Sequence, residues 1–133
     1  MFLRPLKTEQ KKLFLGLAKK AALANIVLEE SEKQLLAAYA DEMDIASTDA
    51  SDLQLDALCK ELKEISSPKE LNQITFEIVG MLLSDSEFDT DEQAFLSKVA
   101  VAFGISEKTV EEMKQCVNEY IALLKRINRL MFN

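Results

Sequence analysis

The chain has no histidine and no tryptophan, and only three glycines, two prolines and two cysteines among its 133 residues. Without histidine, the Ser-His and Cys-His nucleophile systems, His-ligated zinc and the Glu-x-x-His ligand sets of di-iron bundles are all excluded. Cys59 and Cys116 lie far apart and share no C-x-x-C spacing, so neither a zinc site nor a redox dithiol is expected, and both read as small buried apolar residues. The scarcity of Gly and Pro removes the punctuation that a sheet-rich chain needs. No run approaches the ~18 consecutive apolar residues of a membrane span, and the opening Met1 to Lys7 lacks the apolar core of a secretory signal. The expectation is a cytoplasmic protein.

What remains is a composition of 48% apolar and 29% charged residues, dominated by Leu, Ala, Glu and Lys, which is that of a helical domain rather than a disordered chain. A length of 133 residues suits one domain over 1–133, large enough to bury its own core without metal or disulfide staples. The net charge of −7 is unevenly spread. Residues 1–20 carry +5 (Arg4, Lys7, Lys11, Lys12, Lys19 and Lys20 against Glu9), residues 121–133 carry +3 (Lys125, Arg126, Arg129), and the middle is left with −15. No aromatic residues interleave with the terminal lysines and the overall charge repels phosphate, so no nucleic-acid partner is expected.

Apolar residues at three- and four-residue steps predict six helices. The first spans about Thr8 to Ala24, with Leu13, Leu17 and Ala21 on its stripe. The second spans about Glu30 to Met43, with Leu35, Leu36, Tyr39, Ala40 and Met43. After a polar link, Ala46 to Asp49, the third carries Leu55, Leu58, Leu62 and Ile65. Ser67, Pro68 and Glu70 supply a cap, a first helical residue and the far side of a capping box for the fourth, which presents Leu71, Ile74, Ile78, Met81 and Leu82. The fifth spans about Thr90 to Phe103 and stops at Gly104, and the sixth starts near Ser106 with Val110, Met113, Val117, Ile121 and Leu124.

Helices two and five share one spacing at an offset of 60 residues without a gap. Leu28 matches Phe88, Leu35 matches Phe95, Leu36 matches Leu96, Tyr39 matches Val99, Ala40 matches Ala100, Met43 matches Phe103 and Ile45 matches Ile105. The register reaches back through Leu23 and Leu83, and Glu32 falls on Glu92. The fold class expected is therefore all-α: a six-helix single-domain bundle of two pseudo-symmetric three-helix halves, an internal duplication of about 1–65 and 66–133.

Ser84-Asp85-Ser86-Glu87-Phe88-Asp89-Thr90-Asp91-Glu92 concentrates five carboxylates around one phenylalanine. Asp89 and Glu92 have the spacing of a capping box, and Asp91 adds favourable charge to the first turn. Asp85 and Glu87 precede the cap and have no helix to stabilise, which leaves oxygen ligands for a hard cation. The loop is not an EF-hand. With Asp85 as its first position, the sixth would be Thr90 rather than Gly, and the twelfth Leu96 rather than Glu.

An acidic turn opening an amphipathic helix that ends in Phe103-Gly104-Ile105 resembles the tellurite-resistance TerB family and its TerB-like relatives. Their motif runs Ala-Asp-Gly, an acid or polar residue, an aliphatic, then a short polar run to Glu. Ser84 to Glu92 follows it with Ser86 in place of the Gly, and Ala24-Asn25-Ile26-Val27-Leu28-Glu29-Glu30-Ser31-Glu32 is a weaker copy with Asn25 in place of the Asp. The resemblance implies an all-helical bundle with pseudo-symmetric halves and a role in stress response or as a module beside other domains. It also implies a divalent cation, calcium or magnesium, at the acidic turns. The candidate metal residues are Asp85, Glu87, Asp89 and Glu92, with Asn25 and Glu32 as the related pair.

These readings lead to a non-enzymatic TerB-like module that binds an unidentified protein partner and a divalent cation. The alternative is a metal-free interaction scaffold whose acidic turn is only a cap. A carboxylate-based hydrolase is disfavoured, because a catalytic carboxylate needs burial or a perturbing partner that a many-charged turn does not supply.

Overall fold

The computed structural model describes residues 3–23, 30–83 and 88–132, without the side chains of 30–32 and 47. Among them are six α-helices and no strand: α1 (Thr8–Ala22), α2 (Glu30–Glu42), α3 (Leu55–Ile65), α4 (Pro68–Leu83), α5 (Thr90–Phe103) and α6 (Glu107–Phe132). A short 3₁₀ turn, Ser47–Asp49, occupies what the sequence suggested was only a polar link.

Local chemistry explains the ends. Ser67 Oγ accepts from the Glu70 N–H at 3.1 Å, and Glu70 Oε1 accepts from the Ser67 N–H at 2.9 Å, so α4 opens on a full capping box with Pro68 at its first position. At the start of α1 only the reciprocal half exists. Gln10 Oε1 accepts from the Lys7 N–H at 2.8 Å, but the Lys7 side chain has no acceptor to return. Ser106 Oγ caps α6 by accepting from the Thr109 N–H at 3.2 Å.

Two helices end in the same way. Gly104 has φ +73°, and the Ile105 N–H reaches back to the Ala100 carbonyl at 2.9 Å while the Gly104 N–H reaches Val101 at 3.1 Å. After α2, Asp44 has φ +57°, with the Ile45 N–H on the Ala40 carbonyl at 3.0 Å and the Asp44 N–H on Asp41 at 3.1 Å. Both are left-handed caps that satisfy orphan carbonyls. Gly104 adopts that backbone freely, whereas Asp44 does so against the steric preference of a residue with a Cβ.

α1 packs on α2, α3 and α4, and α4 packs on α5 and α6. Leu13, Phe14, Leu15, Leu17 and Ala18 of α1 are all buried, wider than one stripe, so this helix runs through the middle of the core. Phe14 meets Tyr39 edge to face with ring centroids 5.3 Å apart. Gln10, fully buried, donates from Nε2 to Ser66 Oγ at 2.9 Å and so ties the start of α1 to the α3–α4 junction.

The chain between α2 and α3 crosses α1 closely. The Ser51 N–H donates to the Lys12 carbonyl at 3.0 Å, and a Cβ added at Gly16 would overlap the Ser51 carbonyl oxygen. Gly16 is thus required by a close approach of two backbones.

One cysteine departs from expectation. Cys59 is buried, but Cys116 is exposed, because it stands on the side of α6 that the body of the protein does not cover. Burial pushes the Cys59 thiol up to about 11, with the Asp56 charge adding to it. No helix among the described residues is long and apolar enough to cross a membrane.

Candidate functional site

The acidic turn is built around the start of α5. Asp89, in extended backbone, accepts at Oδ1 from the Glu92 N–H at 2.8 Å, and Glu92 Oε1 accepts from the Asp89 N–H at 3.3 Å. Both carboxylates therefore serve the capping box, and Glu92 is buried in doing so. Of the four expected metal residues, the structure brings Asp89 and Glu92 together, while Asp85 and Glu87 lie outside the described residues. So do Asn25, Leu28 and the side chain of Glu32. Among the described residues no group of three or more acids or cysteines is placed to hold a metal ion.

The positive charge found beside this turn is a lysine. Phe88 packs against the core, and Lys114 from α6 sets its Nζ 4.9 Å from the centre of the Phe88 ring. The same ammonium donates to Gln93 Oε1 at 2.9 Å and Glu111 Oε1 at 3.0 Å. Lys114 thereby pins α6 to the first turn of α5. The fourth helical position, where a hydrophobic staple would carry an apolar side chain, is Gln93, so Phe88 is tied to the first turn of α5 through this cation-bridged contact.

The second feature was not foreseen. Between α4 and α6 lies an open trough of about 1080 Å³. Its floor is apolar: Phe76 and Gly80 of α4, and Met113, Val117, Tyr120 and Leu124 of α6. A Cβ at Gly80 would meet nothing within 4 Å, so the floor is open there. Polar groups also line it, including Lys69, Gln73 and Glu77. Tyr39 closes one side with its hydroxyl donating to the Glu77 carbonyl at 3.4 Å. Burial, with the charges of Glu77 and Glu42, pushes its phenol well above the ordinary range, so Tyr39 is a neutral wall rather than a base.

Beyond the trough, apolar exposure continues along the far half of α6. Tyr120, Leu123, Leu124 and Ile127 are between 41% and 52% exposed, and Leu130, Met131 and Phe132 between 66% and 76%. Such a run of large exposed apolar side chains on one helix exceeds the scatter of single apolar residues on an ordinary surface. The sequence signal that could have found it is the density of apolar residues after Val117, more than one buried stripe needs.

A shape of this kind can take an apolar helix along its length, with polar groups to orient it. Compared with protein families, with curated proteins and with solved structures, the chain matches none.

Proposed function

We propose that the chain is a non-catalytic helical module whose working surface is the α4–α6 trough, and that the trough takes an amphipathic helix of a protein partner. The observation that carries this reading is the apolar floor from Phe76 to Leu124 continuing into the exposed apolar face of α6. Burying such a face contributes roughly 25 cal/mol per Å² of apolar surface removed from water. No bound small molecule is needed to explain the length of the feature, because α6 alone runs 26 residues, about 39 Å.

The TerB-like reading, with its stress-response role and two pseudo-symmetric halves, is part of the proposal. Several observations support the halves at the offset of 60. α1 begins at Thr8 and α4 at Pro68, α2 at Glu30 and α5 at Thr90, and the left-handed caps fall on Asp44 and Gly104. Leu36 and Leu96, Ala40 and Ala100, and Met43 and Phe103 are buried in pairs. The third helices do not correspond, since α3 starts at Leu55 and α6 at Glu107. A weak divalent-cation site at the acidic turn completes the reading. It draws on Asp85 and Glu87, with lone pairs left on Asp89 after capping.

The test places a benzophenone amino acid in place of Phe76 and irradiates the protein in its own cell. The expected adduct is to a peptide whose apolar residues recur at helical spacing, identified by mass spectrometry of the cross-linked fragment. Adducts to lipid or to a small metabolite alone would overturn the interaction reading.

A further inference from the structure

The face that covers the trough has to match both its spacing and its charge, and α6 itself meets both requirements. Val110, Met113, Val117, Tyr120, Leu124, Ile127 and Met131 step along α6 by three and four without interruption, the spacing that a coiled-coil seam needs. The seam changes environment along its length. Val110 and Val117 are 5% exposed against the body, whereas Tyr120, Leu124, Ile127 and Met131 are 52%, 46%, 41% and 66% exposed. One half of the seam is used inside the chain and the other half is presented outward.

We propose that a second copy of this chain covers the trough, its α6 lying antiparallel to the first in a symmetric dimer. This rests on the reading of the trough as a helix-docking surface and names its occupant. About a two-fold axis near Ala122, Tyr120 stands opposite the second copy's Leu124, while Ile127 and Met131 of the second copy fall level with Val117 and Met113, which line the trough. All three pairs share one register, as a self-complementary contact requires. The exposed ends of one α6 thus enter the trough of the other, and both troughs are filled by one operation.

Charge selects the antiparallel arrangement. Residues 107–120 of α6 carry Glu107, Glu111, Glu112 and Glu119 against Lys108 and Lys114, a net −2, while residues 121–132 carry Lys125, Arg126 and Arg129 with no acid, a net +3. Antiparallel pairing lays the basic half of each helix along the acidic half of the other. A parallel pair would place +3 beside +3. Opposed helix dipoles favour the same choice.

The place is open because α4 lacks the cover that α1 has. Lys12 and Gly16 of α1, which correspond to Asn72 and Phe76 of α4 at the offset of 60, are covered by the chain's own link at Ser51. That link runs from Met43 to Gln54, between α2 and α3, whereas only Gly104 to Ser106 separate α5 from α6. The second half has no strap of its own long enough to lie on the equivalent face, and the dimer supplies the cover.

The experiment is sedimentation of the full chain over a concentration series, combined with short bismaleimide cross-linking of two cysteine variants. The wild type is expected to sediment as a dimer, and Leu124→Lys with Ile127→Lys to weaken it by about 100-fold or more, since each change occurs twice in the interface. Both residues are exposed, so helix content should stay unchanged. Leu123→Cys in a Cys116→Ser background places the two thiols across the axis and should cross-link to itself. Native Cys116 should not, because antiparallel pairing sets the two copies far apart along the helices. A monomer at all accessible concentrations would overturn the inference, as would Cys116 linking to Cys116, the sign of a parallel pair. A monomer that instead binds anionic vesicles through its basic apolar helix end would also overturn it. If the chain stays monomeric while position 76 cross-links to another protein's helix, this inference falls and the docking function stands.

Discussion

Gly16 and Gly80 should respond to the same substitution with opposite signs. In an ordinary helix interior, Gly→Ala stabilises by about 0.5–1 kcal/mol through the entropy of the unfolded chain and the helix. Gly80→Ala should follow that rule, because nothing lies within 4 Å of the added Cβ. At Gly16 the Cβ overlaps a backbone oxygen and comes within 3.2 Å of Leu58 Cδ2. The Ser51 carbonyl cannot retreat cheaply, since its own residue is bonded to Lys12 at 3.0 Å. Losing that bond costs about 1 kcal/mol and overpacking about 1–3 kcal/mol, so the helix gain is outweighed and Gly16→Ala should destabilise by about 1–3 kcal/mol net. Urea unfolding followed by circular dichroism, on protein dilute enough to be monomeric, measures both changes from the midpoints at constant slope. If Gly16→Ala stabilises as Gly80→Ala does, the link between α2 and α3 does not lie on α1 as described.

Asp44→Gly should stabilise by about 0.5–1 kcal/mol, because the cap already has φ +57° and glycine removes the Cβ strain; a loss in the same unfolding assay would contradict the left-handed cap. Asp89→Ala should cost about 1 kcal/mol through the lost cap on Glu92 N–H. On the cation reading, excess calcium or magnesium raises the Tm of the wild type and raises that of Asp85→Asn less; equal shifts would leave the turn as a cap only. Thiol labelling of the monomer should be rapid at Cys116 and slow at Cys59 until unfolding, and equal rates would contradict their burial. The folded Cys59 thiol titrates at about 11 against an ordinary 9.0, so its stabilisation is full below pH 9 and is lost as pH rises through about 11. Cys59→Ala should therefore flatten part of the alkaline decline in stability between these limits, and an unchanged slope would count against the buried thiol.

The parts of the fold legible in the sequence were those set by chemistry within a turn or two. The Ser67–Glu70 and Asp89–Glu92 boxes, the Pro68 start and the Gly104 stop each depend on residues three or four apart, and all are formed. Cys116 was misjudged for a different reason. Its neighbour Val117 is buried, but periodicity reports that a helix has an apolar face and not whether the same chain covers it. The trough escaped for the same cause, because it lies between α4 and α6, whose placement on one another no local pattern encodes. The role of Lys114 at the acidic turn was also hidden, since Phe88 and Gln93 meet it only through the packing of α6 on α5. Gly16 could have been read only as a helix-weakening residue, and its purpose depends on a link more than thirty residues away.

Hydrogen exchange along α6 tests most directly whether a helix fills the trough. In the monomer, residues 122–132 are exposed and should exchange fast, whereas the turns held on the body by buried Val110 and Val117 should exchange slowly. On raising the protein concentration, residues 122–132 of α6 and the trough face of α4 around Phe76 and Gly80 should become protected together, while α1 and α3 stay as they were. Exchange in 122–132 that is independent of concentration, with the face of α4 equally unaffected, would contradict the account.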